Sequence, residues 1–145
     1  MKKILLTLII MTNFAFSESG IKAGVVIGVP TGINFEVKIH KNNALNIVAA
    51  WNLDIKSYFE TDIDYRIYGD QLFNGKPEWL NHFFGIGGRL LFSDDFEAGV
   101  HFPLGVEMVP KDVPLDVLVY IAPEIVLVSE TKFGLIGGVG IRYIF

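Results

Sequence analysis

Apolar side chains recur at every second position through eight successive segments of this chain, and within those segments no charged residue falls in phase with them. A strand sends successive side chains to opposite faces, whereas a helix repeats every ~3.6 residues, so this pattern selects strands over helices. The segments are Gly20–Val29, Gly32–His40, Ala44–Leu53, Ser57–Tyr68, Trp79–Phe92, Phe96–Met108, Leu115–Leu127 and Thr131–Phe145. Turn-forming residues separate them: Pro30-Thr31, Lys41-Asn42-Asn43, Asp54-Ile55-Lys56, Ser93-Asp94-Asp95 and Pro110 to Pro114. In the first segment Ile21, Ala23, Val25, Ile27 and Val29 share a face; in the last, Phe133, Leu135, Val139, Ile141, Tyr143 and Phe145 do. The opposite faces carry Lys22, Glu36, Lys38, Glu60, Asp62, Asp64, Arg66, Arg89, Glu97, Glu107, Asp116, Glu124, Lys132 and Arg142.

Alternation alone does not say which face is inside. A soluble barrel or sandwich hides the apolar face; a membrane barrel shows it to lipid. Two features of the strands favour charges inside. Gly24, Gly28, Gly32, Gly85, Gly87, Gly99, Gly105, Gly134, Gly138 and Gly140 share the charged face, and the concave side of a small barrel has little room for bulk. Aromatics of the apolar face gather towards strand ends, where interfacial girdles sit; Trp51, Tyr65, Tyr143 and Phe145, with Trp79, are the expected girdle.

Composition agrees with this reading. Apolar residues make up 51% of the chain, yet beyond the first residues no run approaches the ~20 that a spanning helix needs. Met1–Ser17 reads as a secretory signal peptide: Lys2 and Lys3, an apolar run from Ile4 to Met11, then Ala15-Phe16-Ser17 for cleavage. Removing these 17 of the 145 residues leaves 128, enough for one domain, and takes the formal charge from −4 to −6. That balance speaks against a nucleic-acid partner. The absence of cysteine excludes disulfides, thiolate metal sites and lipidation at a cysteine.

An eight-stranded interior is just wide enough to be filled by side chains, so its charges must pair. A Val128–Glu130 loop would set Asp116 directly opposite Arg142, and Arg89 should reach Glu60 or Asp62. With Asp64, Glu107 and Glu124, these residues form the expected structural charge network. The alternative use is a narrow ion path through Glu60, Asp62 and Asp64. His40, His82 and His101 lack metal-ligand spacing such as HExxH, His101 is expected to face inward near Glu97 and Glu107, and His82 to lie outward near Trp79. Gly85-Ile86-Gly87-Gly88 and Gly137-Gly138-Val139-Gly140 precede no helix, so they read as strand curvature rather than phosphate loops. No catalytic constellation emerges, and no cofactor or metal is expected. Pro103 and Pro123 fall inside strands, where bulges are expected. The longest connection, Gly69 to Glu78, falls on the same end as both termini.

The last segment, with Tyr143 two positions before Phe145, resembles the terminal strands of bacterial outer-membrane β-barrels. Pro30-Thr31-Gly32, Asn43-Ala44-Leu45, Gly85-Ile86-Gly87-Gly88-Arg89, Ala122-Pro123-Glu124 and Gly138 to Tyr143 resemble a group of small outer-membrane barrel proteins, some of them from spirochaetes. The architecture is similar to the membrane domain of outer-membrane protein A. The resemblance implies an all-β, eight-stranded antiparallel up-and-down transmembrane β-barrel in the outer membrane, with lipid around it. It also implies that Tyr143 and Phe145 are read by the barrel assembly machinery. Its motifs are structural, so the expected role is envelope-structural or a surface interaction with an extracellular protein. The open alternatives are a soluble periplasmic barrel carrying a hydrophobic ligand and a small pore.

Overall fold

The structure, a computed structural model, describes residues 20–52, 57–69 and 78–145. The expected signal peptide, Leu53, the 54–56 turn and most of the 69–78 connection lie outside these residues. Nine strands follow: β1 (Ile21–Val29), β2 (Gly32–His40), β3 (Asn43–Asn52), β4 (Tyr58–Gly69), β5 (Leu80–Phe92), β6 (Glu97–His101), β7 (Leu104–Met108), β8 (Leu115–Val128) and β9 (Lys132–Ile144). Each pairs antiparallel with its chain neighbours, except that β6 and β7 lie end to end between β5 and β8. β1 pairs with β9, so the sheet closes on itself as a ring of eight strand positions. Strand boundaries differ from the sequence reading by a residue or so, because β-branched runs and turn residues mark the ends locally.

Pro103 is the reason for the ninth strand. It lacks the N–H that β5 or β8 would receive, so the sixth segment breaks at Phe102-Pro103. No bulge forms at either proline, contrary to expectation. On β5 the register runs through the break unchanged, from Gly87↔His101 to Phe84↔Leu104, and on β8 from Glu124↔His101 to Ile121↔Leu104. The surviving donors hold the gap: Gly85 N–H to Pro103 O at 2.9 Å and Phe102 N–H to Pro123 O at 3.0 Å. The β6–β8 register shifts between Ala98 and Gly99 instead.

Closure settles the orientation of the faces. The charged face is buried and the apolar face exposed: Arg142 is 0% accessible, while Ile27 is 69% and Phe133 83% accessible. The glycines of the inner face let strands approach. A Cβ on Gly24 would collide with the backbone of Ile141 and Arg142 at the β1–β9 seam, where neither atom belongs to a side chain that can swing away. Overpacking of this kind costs about 1–3 kcal/mol or more. Gly24→Ala should therefore lower the urea midpoint of the refolded protein, followed by tryptophan fluorescence. Gly134→Ala, whose nearest neighbour would be Glu124 Oε2 at 3.9 Å, should leave it unchanged. Equal midpoints for both variants would show that the seam tolerates bulk.

Candidate functional site

The interior is built in three tiers, stacked from the open end that carries Gly20 and Phe145 (the terminal end) to the far end. The period of two puts one inward side chain per strand at each level. Nearest the terminal end, Arg142 of β9 is the hub. Its Nε and Nη2 donate to the two oxygens of Asp116 on β8, both at 2.8 Å, and Nη1 donates to Glu36 at 3.0 Å and Asn34 at 3.2 Å on β2. This two-pronged geometry is the one that makes guanidinium–carboxylate pairs strong. Asp116 stands directly opposite Arg142, the register expected from the 128–130 loop. Lys22 of β1 lies 2.9 Å from Asp116, 3.5 Å from Glu36 and in contact with Glu107 of β7. Tyr68 donates its hydroxyl to Glu36 at 2.6 Å.

The middle tier is part aromatic and part ionic. Val26, Phe83, Leu118 and Tyr120 form a buried apolar cluster, against which Tyr68 packs. Arg66 lies over it, its guanidinium carbon 4.5 Å from the centre of the Phe83 ring and 5.4 Å from that of Tyr120. The same guanidinium donates to Asp64 at 2.9 Å, and Asp64 also accepts from Asn46 at 3.2 Å and meets His101 Nε2 at 2.5 Å. His101 is thus inward and buried, but its partner is Asp64, not Glu97 or Glu107. Gly87, opposite both Asp64 and His101, leaves the room in which they meet.

At the far end Arg89 of β5 straps the interior. Its Nε donates to Glu60 of β4 at 2.5 Å and its Nη1 to Glu124 of β8 at 2.8 Å, with Glu97 of β6 at 4.0 Å. Lys132 reaches Glu97 at 2.9 Å. Four carboxylates, those of Glu60, Asp62, Glu97 and Glu124, lie at this end with the two cations Arg89 and Lys132, and three of them, Glu60, Glu97 and Glu124, pair with a cation. Asp62 faces Arg89 in register, yet the guanidinium passes it by, and the buried Asp62 Oδ1 has no hydrogen-bond partner among the described residues.

All eight residues expected in the charge network point into the ring, but the structure does not gather them into one site. Asp116, Arg142 and Glu107 belong to the terminal tier, Asp64 to the middle, and Glu60, Asp62, Arg89 and Glu124 to the far one. Lys22, Glu36 and Arg66 join the network from the inner face, along with Asn34, Asn46, Tyr68 and Tyr120, which had no assigned role. Their signal was phase: each alternates with the apolar positions of its own strand. Phe83 was hidden in a Phe83-Phe84 doublet, whose second member faces out.

The expected girdle residues lie outside the ring, in two groups. At the far end Trp51 pairs with Phe59, Phe59 with Phe92, and the Phe92 ring lies 5.3 Å from Phe96. Towards the terminal end Tyr65 accepts from Asn43 at 2.5 Å, Trp79 is exposed, and Tyr143 meets Phe145 edge-on at 4.9 Å. Between the groups the surface is aliphatic and phenylalanine: Val25, Ile27, Ile33, Ile63, Phe84, Ile86, Leu104, Ile121, Val139 and Ile141 are all exposed. Among the described residues, no group of His, Asp and Glu is arranged to hold a metal ion.

No protein-family model and no curated protein matches this sequence. Among solved structures the fold is similar to the N-terminal β-barrel domain of OprF from Pseudomonas aeruginosa, with a TM-score of 0.63 over 85% of this chain and 93% of that one. Sequence identity is 13%, so the likeness is one of fold. It supports a fold like that of outer-membrane protein A and carries no spirochaete relationship.

Proposed function

We propose that this chain is a non-enzymatic integral outer-membrane β-barrel protein with a filled interior, serving an envelope-structural or surface-interaction role. The observation that carries the reading is the inverted distribution of polarity: a closed ring whose charges are buried and whose apolar residues are exposed all round. Water would penalise that surface heavily, whereas lipid accepts it, and a closed ring leaves no unpaired strand edge in hydrocarbon. Seven of the strands run 9 to 14 residues, and the five-residue β6 and β7 lie end to end in one strand position, which suits the thickness, since about 9–11 tilted residues cross a bilayer core. The OprF barrel domain adds support at the level of fold. Export through a cleaved signal peptide, insertion by the barrel assembly machinery through Tyr143 and Phe145, and an extracellular protein partner complete the proposal.

Alkali-washed membrane fractions run on unheated and heated SDS gels test the reading. Retention in the membrane with a heat-dependent mobility shift is expected; release by the wash without a shift would overturn it. A soluble carrier of apolar ligands needs an apolar interior, and this one is lined by ion pairs. A small pore is the second reading, prompted by the acid surplus around Asp62. Against it stand three closed tiers, so bilayer conductance of the wild type and of Arg89→Ala should equal the lipid-only control. Stepwise currents from either would favour the pore.

A further inference from the structure

At the terminal end the ring opens into a bowl of about 790 Å³, a volume within the range of small-molecule sites. Its floor is the top of the ionic network, Lys22, Glu36 and Glu107, whose charges are already engaged with one another. Its rim comes from the β2–β3 turn, the start of β5 and the loop after β7. On that rim Lys111 is engaged too: it pairs with Glu78 at 2.6 Å, and its ammonium holds the Glu78 carboxyl below the usual carboxylate range. Lys38 and Lys41 differ. Both line the bowl, and among the described residues neither has a carboxylate within salt-bridge distance. Asn42 and Asn81 also line this space, and among the described residues neither side chain has a hydrogen bond, while Val109, Pro110 and Pro114 add an apolar part of the lining.

Two uncommitted ammonium groups, two uncommitted amides and an aliphatic wall make a composite recognition chemistry. The ammoniums suit an oxyanion, the amides suit hydroxyls through both donor and acceptor, and the wall suits the C–H face of a ring. We propose that this bowl binds an anionic saccharide unit, its carboxylate or phosphate held by Lys38 and Lys41 and its hydroxyls by Asn42 and Asn81. The proposal does not depend on a membrane around the ring, so it stands or falls separately from the function proposed above.

The test is calorimetric titration of the full-length protein, refolded in micelles of a detergent that contains no sugar. Glucose 6-phosphate, glucose and inorganic phosphate are the three probes. Glucose 6-phosphate should bind, with glucose and phosphate each at least about tenfold weaker, since each lacks one half of the recognition. Lys38→Glu combined with Lys41→Glu should weaken glucose 6-phosphate at least about tenfold. Lys41→Gln alone should give an intermediate loss, and it keeps the test decisive should the double variant not refold. Phosphate binding as tightly as the sugar phosphate would overturn the saccharide assignment. Glucose binding as tightly would overturn the role of the lysines. No binding of any probe, or full affinity in the lysine variants, would overturn the proposal outright.

Discussion

Arg142→Glu should leave the chain unable to form a stable ring. The guanidinium is fully buried and is shared by Asp116, Glu36, Asn34 and, at longer range, Glu107. Removing one partner of a buried pair costs about 3–5 kcal/mol, because the other charge stays behind without compensation. Here three carboxylates would stay behind and a fourth would be added, leaving only Lys22 and the more distant Arg66 to answer them. Domain stabilities are about 5–15 kcal/mol, so a loss of this size removes much or all of the folded population. Circular dichroism and the heat-dependent gel shift should both report failure to fold. Exchanging the pair, with Arg142→Asp and Asp116→Arg, should recover part of the loss, since the two positions are direct cross-strand partners. A single variant whose urea midpoint matches the wild type would show that the network contributes nothing to folding.

Val139→Arg should be nearly as damaging, and for the opposite reason. Val139 sits midway along β9, between Ile27 of β1 and Val119 of β8, and all three are exposed on the outer face. On a water-facing surface the substitution would change stability by no more than about 0.5 kcal/mol. On the lipid face of a barrel an arginine at mid-depth costs about 2–4 kcal/mol, falling to about 0–1 near the interface. Phe133→Arg, at the far end of the same strand and face, is therefore the matched comparison. Urea titrations in bilayers should place Val139→Arg at least about 2 kcal/mol below the wild type and Phe133→Arg within about 1. Equal, small effects at the two positions would mean that the exposed belt faces water, and the membrane reading would fall.

Strand positions and hairpin registers were legible because both are local properties. The β-branched runs, the Lys41-Asn42 turn and the short loop before Lys132 contain everything that sets them, and Asp116 faces Arg142 as a consequence. Proline was legible as a disturbance but not in its form. Whether Pro103 makes a bulge or a clean break depends on what β5 and β8 offer it, and the carbonyl and N–H of neighbouring strands kept the register. His101 meets Asp64 instead of its expected neighbours for a similar reason. Its sequence neighbours Glu97 and Glu107 share its face, but the β5 glycine between it and β4 brings Asp64 closer than either.

By itself the sequence determined two faces, one charged and small, one apolar and large, and the strands and hairpins that carry them. A period of two residues and the chemistry of short turns need no distant partner to act. Only the tertiary structure decided which face is inside, that β1 meets β9, and which charges meet across the ring. Arg142 with Glu36 and Arg89 with Glu124 link strands that are not neighbours, and His101 meets Asp64 across the width of β5. Such pairs depend on how far the strands stagger when the sheet closes, and that stagger is a property of the whole ring.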